Sequence, residues 1–104
     1  MNGKLLVIFT LAILIILPAT LAAADGAALY KAKCAMCHGA DGSGMTPMGK
    51  SMKLRDLRSP EVQKQTDAEL TKVTADGKGK MPAYKGKMTD AEISAVVAHM
   101  RSLK

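Results

Sequence analysis

The chain has no tryptophan, one phenylalanine, two tyrosines and two cysteines among 104 residues. The phenylalanine is Phe9, inside an apolar leader, so residues 25–104 have only Tyr30 and Tyr84 as aromatic rings. A domain that small buries a modest fraction of its surface and usually needs a staple: disulfides, a metal or a cofactor. Cys34 and Cys37 make a poor cross-link, because a loop that short restricts the unfolded chain little. Something else is therefore expected to fill the core.

Charge of one sign is also in short supply. Setting Lys4 aside with the leader leaves fourteen Lys and Arg against nine Asp and Glu, a formal +5. That surplus suits an anionic partner or serves solubility alone. The missing aromatics exclude a single-stranded nucleic-acid binder, which stacks bases on such rings.

The leader has the layout of an export signal. Lys4 is its single charge, Leu5 to Leu17 is apolar apart from Thr10, Pro18 breaks the run, and Ala22-Ala23-Ala24 closes it. This predicts a signal peptide over residues 1–24, cleavage before Asp25 and a mature domain over 25–104, placed in the periplasm. The rival reading is an uncleaved anchor, since residues 5–24 approach the roughly 20 apolar residues of a span. Either way the domain ends outside the cytoplasm.

The chemistry sits in Cys34-Ala35-Met36-Cys37-His38, the C-x-x-C-H signature of c-type haem attachment. Each thiol can add to one porphyrin vinyl group, and the adjacent histidine is delivered to the iron. A thioredoxin-like pair would want a βαβ context, and these residues read as all helix. A zinc site would need a second ligand pair, but the other histidine, His99, has no cysteine near it.

Four helices are expected around the motif. Asp25 to Lys33 reads as the first, with Gly26 and Tyr30 on one face. Gly39, Gly42, Gly44, Pro47 and Gly49 mark a long irregular loop after the motif. Ser59-Pro60-Glu61 starts a short helix to about Gln65. Thr66-Asp67-Ala68-Glu69 and Thr89-Asp90-Ala91-Glu92 are capping boxes that open two more. The last presents Ile93, Val96, Val97 and Met100 as an apolar stripe. Between these two helices, Pro82 holds Met81 extended on a polar, Gly-rich loop, where a thioether needs something to receive it.

In these features the chain resembles the small soluble class I cytochromes c of bacteria and of algal photosynthesis, over essentially all of residues 25–104. The motifs carrying the likeness are the helix leading into CAMCHG, the Gly-rich loop with a Pro, the G-x-x-M-P loop and the C-terminal helix. The resemblance implies an all-α, cytochrome c-like fold of about four short helices around one covalent haem, with the end helices crossing. By position the crossing sets Gly26 and Tyr30 against Val96 and His99. The family usually has an aromatic where His99 stands, so a weaker crossing is expected here.

The resemblance further implies haem thioethers at Cys34 and Cys37, with His38 and Met81 as axial ligands of the iron. It suggests the Pro47 carbonyl as partner of the other His38 nitrogen, and Tyr84, Lys50 and Arg55 near the haem propionates. From the residues alone, Met45, Met48, Met52 and His99 remain rival ligands, as does an open sixth position.

Six-coordinate iron has no site for substrate, so the expected function is a single-electron carrier and not an enzyme. Its redox partners would be acidic, met by Lys31, Lys33, Lys78, Lys80, Lys85 and Lys87. The alternatives are a haem subunit of a larger membrane or periplasmic oxidoreductase, and a five-coordinate sensor or peroxidase. Membrane contact would come only through an uncleaved leader or such a complex. In a photosynthetic host the compartment would be the thylakoid lumen.

Overall fold

The computed structural model describes residues 12–16 and 24–104. Most of the proposed leader, residues 1–11 and 17–23, lies outside the described residues. Among those described, no helix is long and apolar enough to cross a membrane.

Six helices follow one another: α1 (Gly26–Lys33), α2 (Ala35–His38), α3 (Pro47–Met52), α4 (Pro60–Gln63), α5 (Asp67–Asp76) and α6 (Asp90–Ser102). Each long helix starts on a side chain that takes up a free backbone N–H. Asp25 accepts from Ala28 N at 3.1 Å before α1. Thr66 and Thr89 form reciprocal capping boxes with Glu69 and Glu92 ahead of α5 and α6. Lys31 and Lys33 sit at the end of α1, where the helix dipole favours cations.

The sequence predicts four helices, and the two additional ones are short. α2 continues from α1 through Cys34 and carries the second cysteine and His38. α3 occupies the segment read from its glycines as irregular loop. Its start is marked by Thr46 at the N-cap, accepting from Gly49 N, and Pro47 at the first position.

The end helices cross as expected, with one change of partner. A Cβ on Gly26 would lie 2.1 Å from the carbonyl oxygen of Ala95, so Gly26 meets backbone at Ala95 instead of the Val96 side chain. Tyr30 stacks on His99 with ring centroids 5.0 Å apart and planes tilted by 50°. Val96 joins Tyr30, Met88 and Ile93 in one buried cluster, with Leu103 packed against it from the chain's end. Val62, Leu70, Val97 and Met100 form the second cluster. α6 thus contributes to both, and neighbouring faces of one helix hold the two halves of the core together.

Candidate functional site

Six of the eight predicted site residues, all but Pro47 and Lys50, converge on a cavity of about 360 Å³, within the roughly 300–1,000 Å³ range of small-molecule and cofactor pockets. Cys34, Cys37 and His38 line it from the junction of α1 with α2. Leu70, Val96, Val97 and Met100 give it apolar walls, and Met81 and Tyr84 come from the loop between α5 and α6. Nothing in the local sequence of any one segment encloses this space. It forms because the helix crossing and the loop bring distant stretches of chain together.

The α5–α6 loop is pinned at several points. Lys78 and Met81 exchange backbone hydrogen bonds at 3.2 and 2.9 Å, closing a tight turn, and Tyr84 N donates to Thr74 O at 3.2 Å. The Tyr84 hydroxyl donates to the Lys33 carbonyl at 3.0 Å, tying the loop to the end of α1 beside the cysteines. Burial, with the neighbouring Cys34 and Cys37 thiols, holds the Tyr84 phenol above its ordinary range.

His38 is half-buried, and desolvation keeps its imidazole below the ordinary histidine pKa, so the ring is neutral at physiological pH. Its Nδ1 is buried with no hydrogen-bond partner among the described residues. The expected bond to Pro47 is not formed. Pro47 is the exposed first residue of α3, and a helix carbonyl at that position points along its own helix axis.

Of the other residues expected near the haem, Arg55 lines the cavity and Lys50 does not. Lys50 is exposed on α3. Arg55 sits 3.7 Å from Glu61, a solvent-exposed pair of little energetic weight. Among the rival methionines, Met45 and Met48 are exposed and away from the cavity, whereas Met52 lines it together with Met81. His99 is taken up by its stacking on Tyr30.

Two hydroxyls escaped the reading of the sequence. Tyr30 donates to the Gly39 carbonyl at 2.7 Å, just after His38. Thr46 donates to the Cys37 carbonyl at 2.7 Å, just before it. Thr46-Pro47 is the kind of pair that opens a helix, a signal outweighed in the sequence by the surrounding glycines, and nothing in the sequence tells which carbonyl the hydroxyl would reach.

Comparison with known proteins gives a consistent result. The family model described as cytochrome c oxidase, cbb3-type, subunit III matches residues 21–100. Cytochrome c6 of Leptolyngbya boryana is 36% identical over 78 residues, covering 75% of this chain and 88% of that protein. Cytochrome c6 of Bryopsis maxima is 32% identical over 80 residues, covering 72% and 84%. Among solved structures, the KustC0563 c-type cytochrome superposes with a TM-score of 0.71 at 33% identity, covering 77% of this chain and 98% of that one. The chain belongs to the mono-haem cytochrome c family. Cytochrome c6 of the diatom Phaeodactylum tricornutum has the same fold, with a TM-score of 0.57 at 28% identity and coverage of 75% and 88%.

As a cytochrome c, the chain takes one covalently bound haem c with its iron, and it is an electron carrier that works with redox partners, not an enzyme. The residues present fit that group. Both thiols are free and half-buried at the cavity, and burial pushes the Cys34 thiol above its ordinary range. A neutral imidazole that lines the cavity is a ready metal ligand through its unprotonated ring nitrogen.

Proposed function

We propose that this chain is an exported, diffusible carrier in which Cys34 and Cys37 hold the haem as thioethers while His38 and Met81 ligate its iron. When bound, the haem supplies a one-electron change of oxidation state. The protein's residues do the rest. The apolar walls keep water from the cavity, the Tyr84–Lys33 hydrogen bond holds the Met81 loop in place, and Arg55 offers charge to the propionates. The single observation carrying this reading is the convergence of Cys34, Cys37, His38 and Met81 on one apolar cavity.

Lys31, Lys33, Lys78, Lys80, Lys85 and Lys87 are all exposed, and Lys33 and Lys78 reach the cavity lining. This supports acidic redox partners, docking briefly through a small charge-steered interface. The proposed leader agrees with this, since haem is held covalently in an exported domain too small to retain it by burial. Mature protein isolated from the periplasm should begin at Asp25 when its N-terminus is sequenced.

The test of ligation is optical. The oxidised holoprotein should show the weak far-red band of a methionine-ligated haem, and Met81→Ala should abolish it. Met52→Ala should leave it intact. Loss of the band in the Met52 variant alone would transfer the role to that residue. Rapid stoichiometric binding of carbon monoxide to reduced wild-type protein would mean an open sixth position and overturn the carrier reading.

A second reading has its own support. The family model that matches residues 21–100 describes a subunit of a cbb3-type oxidase. If this chain is instead the haem subunit of a larger oxidoreductase, it should leave the membrane fraction only with detergent and co-purify with a larger enzyme.

A further inference from the structure

His38 is gripped through its backbone. The carbonyls of residues 37, 38 and 39 all accept hydrogen bonds from outside the helix turn, and Gly39 accepts a second one from Gly42 N at 3.1 Å. Thr46 Oγ1 donates to Cys37 at 2.7 Å, Gly44 N to His38 at 2.8 Å, and the Tyr30 hydroxyl to Gly39 at 2.7 Å. The imidazole has no comparable restraint, because its Nδ1 makes no hydrogen bond among the described residues. Ring orientation is ordinarily fixed by such a bond on the far nitrogen.

Thr46 differs from the other two donors in being engaged both ways. Its oxygen also accepts from Gly49 N at 2.9 Å, so one hydroxyl joins the Cys37–His38 peptide to α3. The joint is tight: a Cβ on Gly49 would come within 2.6 Å of the Cys37 carbonyl oxygen and 2.2 Å of that of Gly44. A peptide unit is planar, so a bond that fixes the Cys37 carbonyl also fixes the His38 amide and the direction in which its Cα leaves that plane.

We propose that the Thr46 hydroxyl is a positioning residue for the His38 ligand, setting the orientation of the imidazole about the iron through the Cys37 carbonyl in addition to capping α3. The proposal rests on the haem reading above. It assigns the task usually given to a ring-nitrogen hydrogen bond to a threonine eight residues along the chain.

Three holoprotein variants separate the two duties of the hydroxyl. Thr46→Val removes both donor and acceptor with little change of shape. Thr46→Asp retains an acceptor for Gly49 N, but an ionised carboxylate has no proton to donate to Cys37. Thr46→Ser keeps both. The readout is the spread and order of the haem-methyl proton resonances in the oxidised protein, which report the orientation of the axial ligands, together with the thermal midpoint. Thr46→Val and Thr46→Asp should both alter the haem-methyl pattern, Thr46→Ser should restore the wild-type pattern, and Thr46→Asp should melt above Thr46→Val. Lowered midpoints with unmoved resonances would make Thr46 a helix cap and nothing more. Failure of the haem reading would look different, because the wild-type protein itself would then be colourless.

Discussion

Tyr30 does more at one position than its place in the sequence suggests. It is 3% exposed, stacks on His99 and donates its hydroxyl to the carbonyl after His38. Removing that hydroxyl in Tyr30→Phe leaves the Gly39 carbonyl with the Gly42 N donor alone and should cost roughly 0.5–1.5 kcal/mol, the net worth of one hydrogen bond, in denaturant unfolding of the holoprotein at neutral pH. Burial, the largest cause, pushes the Tyr30 phenol from its ordinary 10.0 up to about 12, with the Asp41 charge acting in the same direction. The folded state therefore prefers the neutral, protonated phenol. That preference is fully present below pH 10 and is lost as pH rises through about 12. The stability gap between wild type and Tyr30→Phe should accordingly shrink between pH 10 and 12. A gap that stays constant across that window would mean the phenol is as free to ionise in the folded chain as in the unfolded one.

Among the elements, the crossing of α1 on α6 is the most demanding contact. Gly26→Ala gains up to about 1 kcal/mol in helix propensity. Against that, its methyl would stand 2.1 Å from a backbone oxygen that cannot rotate away, and overpacking of this kind costs roughly 1–3 kcal/mol. The clash should win, so we expect a lower thermal midpoint for Gly26→Ala. An unchanged or higher midpoint would show that α6 can yield.

The same crossing shows what the sequence made legible. Gly26 and Tyr30 were readable because a four-residue spacing puts them on one face, and both capping boxes because they are purely local chemistry. The shift of Gly26 from Val96 to Ala95 was not readable, since it depends on how deeply two backbones approach. α3 was hidden by its composition: it is short, and Gly49 in its middle argues against a helix on propensity alone. The reason for that glycine is the close approach of the Gly44 and Cys37 carbonyls, which a Cβ would meet at 2.2 and 2.6 Å and which no local pattern reveals. Likewise the sequence ranked Met81 by its extended loop setting, while Met52 reached the cavity only because α3 exists to carry it.

For the whole molecule, the balance of charge governs encounter more than fold. The lysines at the end of α1 and on the α5–α6 loop are brought to one neighbourhood by the Tyr84–Lys33 hydrogen bond. Reversing two of them, Lys80→Glu and Lys85→Glu, should slow electron transfer with an acidic redox partner by roughly tenfold at low salt, since steering contributes about 10–10³ in association rate. The difference should vanish near 1 M salt, where the Debye length falls to about 3 Å. A rate deficit that persisted at high salt would point to lost contact area or damaged structure instead of steering.

Leu103, packed on the Tyr30 cluster from beyond the end of α6, has a practical implication for anyone handling the protein. An affinity tag or electrode tether placed after Lys104 leaves that leucine seated, whereas trimming the tail to the last helical residue would uncover one flank of the ring that steadies the histidine segment. Shortened versions of this cytochrome should therefore keep Leu103.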